Sequence, residues 1–357
     1  MDPQMKTFLY NVGMFGTCAN PLHLGHVSTI IKAACECREL YIVLSYSKKR
    51  NEIDFRMRHR WLAQTVQHLP HVQIIDLEDD APDKESYSET HWQQGAEEIK
   101  QRIGKPIDAI YCGSDYCSDI PSPYQKHYPN AKIIYTDRAL IPISSTAIRQ
   151  NPQRNWNYIA KAARPFFVKT VLIIGHESTG KSTLTQNLAA LYNTEFVSEY
   201  GRDVCAECGG TDFMLRADYE KIIITHRIRI HEARNKANRY LFIDTDALTT
   251  FWYAQMDEID LPRPTRDHFD LILFLDANVP FIQDGLRSEE NNAGSARLAA
   301  SDTLKQFYLA AGYSFRTING TTHAERLAQA IQYIEEEGIE ENQIALSGSV
   351  RQDKKLR

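Results

Sequence analysis

A chain of 357 residues has the length for about two domains, each able to bury its own core, which excludes one small domain. Hydrophobic, aromatic and charged residues stand at 43%, 10% and 24%, the balance of a globular protein and not of a disordered, collagen-like or disulfide-scaffold chain. The net charge of −5 argues against nonspecific attraction to nucleic acid or anionic lipid.

In chain order, strands are predicted over 7–12, 40–45, 72–76, 108–112 and 132–135, where β-branched and aromatic residues cluster. Between them, 24–37, 55–68 and 87–103 carry apolar residues at three- and four-residue spacing, which predicts helices covering a parallel sheet. This βαβ rhythm describes one doubly wound domain. Residues 151–165, flanked by Pro152 and Pro165, read as a short ordered connector. The pattern then restarts with strands over 168–174, 241–244 and 271–276 and helices over 181–192 and 322–337, a second α/β domain. The expected bounds are 1–164, 165–340 and a polar tail over 341–357 whose end should be mobile.

No apolar run approaches the roughly 20 residues of a membrane span. The amino terminus lacks the basic start, apolar stretch and cleavage site of a secretory signal, so a cytoplasmic setting is expected. The seven cysteines then read as reduced thiols. Cys205 and Cys208 form a CxxC, but no second pair stands at zinc-finger spacing, so no structural metal is expected there.

The strongest motif runs from Gly175 to Ser182 and fits GxxxxGK[ST], with the apolar VLII before it and a helical segment after it. Gly175 and Gly180 let the backbone curl around Glu177, Ser178 and Thr179, so that successive N–H groups face one concavity suited to phosphate. Lys181 should reach the β- and γ-phosphates of ATP. Ser182 should bind Mg²⁺, with Asp244 or Asp246 of the FIDTD strand end completing the metal shell, and Thr183 lies in the same helical turn.

Three further features favour transfer to a small alcohol. Glu199 in SEYGRD could accept the proton of an attacking hydroxyl, at a strand end where open α/β sheets bind ligands. Trp252 and Tyr253 could stack on a ring. Arg287 and Arg297 could close over the phosphates as a lid. Against each stands a plainer reading: a solvated arginine, or a core tryptophan.

In the first half, the first strand leads into GMFGTCANPLHLGH. His23 and His26, three residues apart at a helix start, can donate to charge developing on an α-phosphate, and Gly25 is expected to keep the space between them open. Zinc would need a third ligand. The half closes with ISSTAIR, where Ser145 and Arg149 could form a second phosphate grip.

GMFGTCANPLHLGH with ISSTAIR resembles the HxGH and ISSTxIR motifs of the nucleotidyltransferase superfamily. Joined to a P-loop domain bearing SEYGRD, FIDTD and DGLR, it closely resembles the NadR family, bifunctional nicotinamide mononucleotide adenylyltransferases and ribosylnicotinamide kinases, over roughly residues 7–335. The resemblance implies a Rossmann-like domain followed by a P-loop kinase, with ATP and Mg²⁺ as cofactors. It implies small-molecule partners: nicotinamide riboside, its mononucleotide, NAD and ATP. It implies that Gly13, Phe15 and Thr17 border the nucleotide, with Asp137 and Arg138, that Trp92 stacks on the nicotinamide ring, and that Tyr200 and Arg202 lie near the ribosyl substrate.

Some members carry a helix-turn-helix repressor domain ahead of the transferase. A first strand beginning near Thr7 leaves no room for one here, so binding to nucleic acid is not expected. The stretch between Phe15 and Pro21 is longer than the family pattern. Two alternatives stay open: a bifunctional enzyme for another phosphorylated vitamin precursor, since pantetheine-phosphate adenylyltransferases share HxGH, and a non-enzymatic sensor of NAD and ATP. Homo-oligomerisation is left open by the sequence.

Overall fold

The computed structural model describes residues 8–83, 85–113, 122–137, 140–280 and 294–351. It divides into two compact units, Met1–Arg164 and Pro165–Arg357.

In the first unit the elements are β1 (Tyr10–Thr17), α1 (Leu24–Glu36), β2 (Cys37–Tyr46), α2 (Phe55–Val66), β3 (Val72–Glu78), α3 (Glu89–Ile103), β4 (Ala109–Gly113), α4 (Pro123–His127), β5 (Lys132–Thr136) and α5 (Ser145–Gln150). The five strands form one sheet in the order β3-β2-β1-β4-β5, and every pairing is parallel. β1 lies at the centre, and its apolar residues on one face, Val12 and Met14, pack with Tyr41, Val43, Ile110 and the α3 residues Ala96, Ile99 and Ile103. The strand expected over 7–12 lies further on, ending at Thr17, because Asn11, Gly13 and Gly16 break the apolar run that a strand buried on both faces otherwise shows.

The second unit contains α6 (Arg164–Phe167), β6 (Lys169–Gly175), α7 (Lys181–Leu191), β7 (Phe196–Val197), α8 (Tyr200–Cys208), α9 (Arg216–Arg234), β8 (Tyr240–Asp244), α10 (Ala247–Met256), β9 (Leu271–Leu275), α11 (Gly294–Ala310), β10 (Arg316–Ile318) and α12 (His323–Arg351). Its sheet is also parallel, in the order β10-β9-β6-β8-β7. β6 pairs directly with β8, Ile173 opposite Asp244, so the carboxyl end of β8 adjoins the loop that leaves β6.

The two sheets anchor their central strands by the same device. An aspartate just before a neighbouring strand accepts hydrogen bonds from the start of the central one. Asp108 Oδ2 accepts from the N–H groups of Asn11 and Val12, both at 3.0 Å, and Asp270 Oδ2 accepts from the Thr170 N–H at 2.8 Å and its hydroxyl at 2.9 Å.

Several elements were not legible in the sequence. β10 has three residues and β7 has two, too short for any periodicity to register. α9 buries only Tyr219, Ile222 and His226, so its apolar stripe is thin. The closing helix was expected to stop before a polar tail, yet α12 continues through Gly338 to Arg351. β1 begins at Tyr10, later than the sequence implied, and residues 1–7 lie outside the described residues.

Gly13 was expected to border the nucleotide. Its bare Cα instead makes room for the buried Cys37, whose Sγ would lie 2.3 Å from an added Cβ. Overpacking of this kind costs about 1–3 kcal/mol. Gly13→Ala should therefore lower stability in chemical denaturation by that amount, and Cys37→Ala in the same chain should restore most of it.

Candidate active sites

In the first unit the chemistry gathers where β1 ends and α1 begins. His23 is the N-cap of α1, and its Nδ1 accepts from the Gly25 N–H at 3.1 Å. His26 Nδ1 accepts from the His23 N–H at 3.4 Å, closing a reciprocal capping box. The two rings stack with centroids 3.7 Å apart. With each Nδ1 engaged as an acceptor, the neutral ring carries its proton on Nε2, so the pair presents two N–H donors at a positive helix end. Gly25 was expected to keep phosphate space open. The nearer constraint is the His23 ring itself, whose Cε1 and Nδ1 would lie 3.0 Å from a Cβ on Gly25. Phe15 packs beside this pair, its ring 6.4 Å from that of His26.

ISSTAIR braces the loop that precedes His23. Ser144 is an ordinary N-cap, accepting from the Ala147 N–H at 3.1 Å. The Ser145 hydroxyl donates to the Pro21 carbonyl at 3.0 Å, and the Arg149 guanidinium donates to the Asn20 carbonyl. Arg58, buried and ion-paired with Glu52 at 3.1 Å, donates to the Cys18 carbonyl at 2.7 Å. Three side chains from distant elements thus pin the backbone of the loop before His23. Arg58 is not recognisable from sequence, because α2 as a whole is polar and its one buried cation looks like any surface arginine.

Beside this loop a cavity of about 320 Å³ opens at the carboxyl ends of β1, β2 and β3. Thr17, Cys18, Arg50, Trp92, Tyr124 and Tyr128 are among its walls. Trp92 stands edge-on to Tyr124, with centroids 5.2 Å apart, and to Tyr87 at 5.6 Å. Thr17 Oγ1 accepts from the Ala19 N–H, shaping the turn out of β1. Arg50 is held by Asp79 at 2.5 Å, and Asp79 also accepts from the Ser45 hydroxyl. Asp137 follows the end of β5 and is exposed, and Arg138 lies outside the described residues.

In the second unit the glycine-rich loop joins β6 to α7. Gly180 is the N-cap with φ +85°, a conformation that favours glycine, and Ser178 is also left-handed at +54°. Arg297 on α11 donates to the carbonyls of Glu177, Ser178 and Val279. Arg326 on α12 donates to the carbonyls of Thr179, Gly320 and Asp276. Arg297 was expected as a lid. It is buried and holds the loop from behind, and Arg326 beside it went unnoticed. Arg287 lies outside the described residues.

Within the loop the Thr179 hydroxyl donates to the His176 carbonyl at 2.8 Å, and Lys181 Nζ donates to the same oxygen at 3.2 Å. Ser182 begins the helix beside the Asp244 carboxylate, while Thr183 points outward and is exposed. Asp244 is buried, and its Oδ1 has no hydrogen-bond partner. Burial pushes its carboxyl up to about 6, with the nearby Glu199 adding to the rise and Lys181 opposing it. An orphaned carboxylate oxygen next to a hydroxyl, with phosphates to supply further oxygens, is a donor set that suits Mg²⁺.

Asp246 is used differently from the sequence expectation. It caps α10 by accepting from the Thr249 N–H at 3.0 Å and accepts from the Tyr308 hydroxyl of α11, deep in the unit. These bonds engage Oδ1, while Oδ2 is buried without a hydrogen-bond partner.

A cavity of about 340 Å³ lies in front of the loop. Glu177, Lys181, Glu199, Arg202, Trp252 and Tyr253 line it together with the α9 face Tyr219, Ile222 and His226. Tyr200 does not line it. Its ring packs with Val204 and Ile222 and lies 4.1 Å beneath the Arg229 guanidinium.

Residues 14–151 match the cytidylyltransferase-like family, and residues 170–326 match a family described as AAA domain. The protein named "Trifunctional NAD biosynthesis/regulator protein NadR" of Escherichia coli (strain K12) is 33% identical over 293 residues, covering 75% of this chain and 69% of that protein. Its namesake from Salmonella typhimurium is 32% identical over 302 residues, covering 78% and 72%. The chain belongs to the NadR family. Two solved NadR structures, one described as a complex with NR and one as a complex with NAD and AMP-PNP, share its fold at a TM-score of 0.71. They are 23% and 22% identical to it, cover 93% of this chain, and are themselves covered over 97% and 98% of their length. This NadR-family chain therefore joins a nucleotidyltransferase fold to a P-loop fold of the kinase kind.

Gly25→Ala should press on the His23 ring and lower turnover in the first unit by about tenfold or more, since small misplacements of a positioned group are costly. Nucleotide turnover by the second unit should be unchanged, and assaying the two reactions separately on one preparation checks both statements.

Proposed function

We propose that this chain carries out two consecutive steps of NAD biosynthesis. The second unit phosphorylates nicotinamide riboside from ATP, and the first unit then joins the mononucleotide to the adenylyl group of another ATP, releasing pyrophosphate. One observation carries the reading: a single NadR-family chain holds two separate strand-to-helix phosphate turns, one bearing a stacked histidine pair and the other Lys181. We place the enzyme in the cytoplasm. No helix among the described residues is long and apolar enough to cross a membrane.

In the kinase step the riboside enters the cavity between Trp252 and Glu199. Glu199 accepts the proton of the 5′-hydroxyl as its oxygen attacks the γ-phosphorus in line, and the bond to the ADP oxygen breaks. Lys181 exchanges the His176 carbonyl for the β- and γ-phosphates, and Arg202 adds positive charge at the acceptor side. Ser182 and Asp244 would hold Mg²⁺, which supplies charge neutralisation on those phosphates.

In the transfer step the mononucleotide lies along the Trp92 cavity, with Trp92 against the nicotinamide ring. A phosphate oxygen attacks the α-phosphorus and pyrophosphate departs. His23 and His26 donate their Nε2–H groups to the charge that develops there, and neither forms a covalent bond. Ser145 and Arg149 act by holding the loop that positions the pair.

Lys181→Ala should lower phosphorylation of nicotinamide riboside by a factor on the order of 10²–10³ and leave adenylylation of the mononucleotide intact. His26→Ala should do the reverse. Loss of both activities from either change would refute two independent sites.

The raised carboxyl of Asp244 sets a pH dependence. Below about pH 6 the proton occupies the oxygen that the cation needs, so the Mg²⁺ concentration for half-maximal kinase activity should rise by up to about tenfold per pH unit. Above that value it should be flat. Titrating Mg²⁺ at pH 5 and pH 8 measures the difference, and Asp244→Asn should abolish it.

A further inference from the structure

His226 is the residue in the kinase cavity that the mechanism leaves without a task. It sits on α9 one turn after Ile222 and two after Tyr219, and all three line the cavity wall. The side chain is only 2% exposed, and its Nε2 has no hydrogen-bond partner. A buried nitrogen left without a partner is destabilising, and a native fold seldom keeps one without a use. Burial lowers the ring to about 4, with Arg229 contributing and Glu199 opposing, so it stays neutral at working pH. A neutral imidazole has one N–H donor and one acceptor nitrogen and no net charge, which suits a hydroxyl, itself both donor and acceptor.

Position within the cavity narrows the choice of group. Glu199, which takes the proton of the attacking hydroxyl, is close enough to act electrostatically on His226. α9 packs against β7, which leads into Glu199, and against α10, which carries Trp252 and Tyr253, and all these side chains line one cavity. The secondary hydroxyls of a riboside lie within a few bonds of the attacking 5′-oxygen, so a wall residue that shares the cavity with Glu199 is within reach of them.

We propose that His226 is a specificity-determining residue of the kinase site that hydrogen-bonds a secondary hydroxyl of the acceptor's ribose. The assignment rests on the kinase reading above and deepens it. It makes the second unit selective for ribosides over deoxyribosides through a group that carries no charge.

The test uses the full chain with saturating MgATP and compares nicotinamide riboside with its 2′-deoxy and 3′-deoxy forms. For the unaltered protein, one of the two deoxy forms should show kcat/KM lower by about tenfold, the scale of one hydrogen bond to a buried partner. His226→Phe should raise KM for the riboside by a similar factor, change kcat less, and lose the discrimination against that deoxy form. His226→Gln, whose amide reaches close to the position of Nε2, should recover part of both. The thermal midpoint of His226→Phe should hold or rise, because an unpaired buried polar atom has been replaced by an apolar one.

Unchanged KM and discrimination in His226→Phe would overturn the assignment. So would a lowered thermal midpoint in both variants, or coupling to the carboxamide seen with a nicotinic acid riboside in place of coupling to a hydroxyl. No phosphorylation of nicotinamide riboside by the unaltered protein would remove the kinase reading, and this assignment with it.

Discussion

Cationic side chains that donate to loop carbonyls, with Arg58, Arg297 and Arg326 buried and Arg149 exposed, underlie both phosphate sites. A loop can turn its N–H groups toward an anion only if its carbonyl oxygens are satisfied elsewhere, since each unpaired buried carbonyl costs as much as a lost hydrogen bond. In the second unit Arg297 and Arg326 take up the carbonyls of Glu177, Ser178 and Thr179. In the first unit Arg58, Arg149 and Ser145 take up those of Cys18, Asn20 and Pro21. A guanidinium is suited to this task because it offers five donors in one plane and can bridge carbonyls from separate segments. Arg326 does so most fully, joining the phosphate loop to the end of β9 and the turn after β10.

Around these frames the two units spend charge differently. The first presents a pair of imidazole N–H donors at a helix end and lines its cavity with aromatic rings and one arginine, Arg50, that Asp79 neutralises. The second lines its cavity with Lys181, Arg202 and Glu199, with the buried Asp244 close enough to act on all three. The different endowment follows from the bond each must break. Transfer at an α-phosphorus has a good leaving group in pyrophosphate, whereas transfer of a γ-phosphoryl group to an alcohol also needs a base for the hydroxyl proton and a cation between the phosphates.

The parallel sheets explain why both sites stand at the carboxyl ends of central strands. There the chain leaves the sheet, helix amino ends converge, and neighbouring strands diverge enough to open a crevice. Direct pairing of β6 with β8 brings Asp244 beside Ser182 without any long excursion of the chain. The aspartates that hold the other ends of β1 and β6 fix where those strands begin, and hence where their loops emerge.

The sequence by itself determined the two α/β halves, the GxxxxGK[ST] loop and the HxGH turn. These are local: strand, turn and helix follow one another within about 20 residues, and the conformation of each is set by neighbours in the chain. Several assignments made from local context changed once the fold was complete. Arg297, expected as a lid, is a buried brace of the phosphate loop, Arg149 also braces the loop before His23, Asp246 caps α10 through Oδ1, and Gly13 makes room for Cys37. Arg58, Arg326 and His226 drew no notice at all. The bonds that give such residues their roles join positions far apart in sequence, 147 for Arg326 and Thr179, 40 for Arg58 and Cys18, and 62 for Tyr308 and Asp246. A charged or polar side chain reads the same in a sequence whether it faces water or a carbonyl in the interior, and only the folding of distant segments against one another decides which.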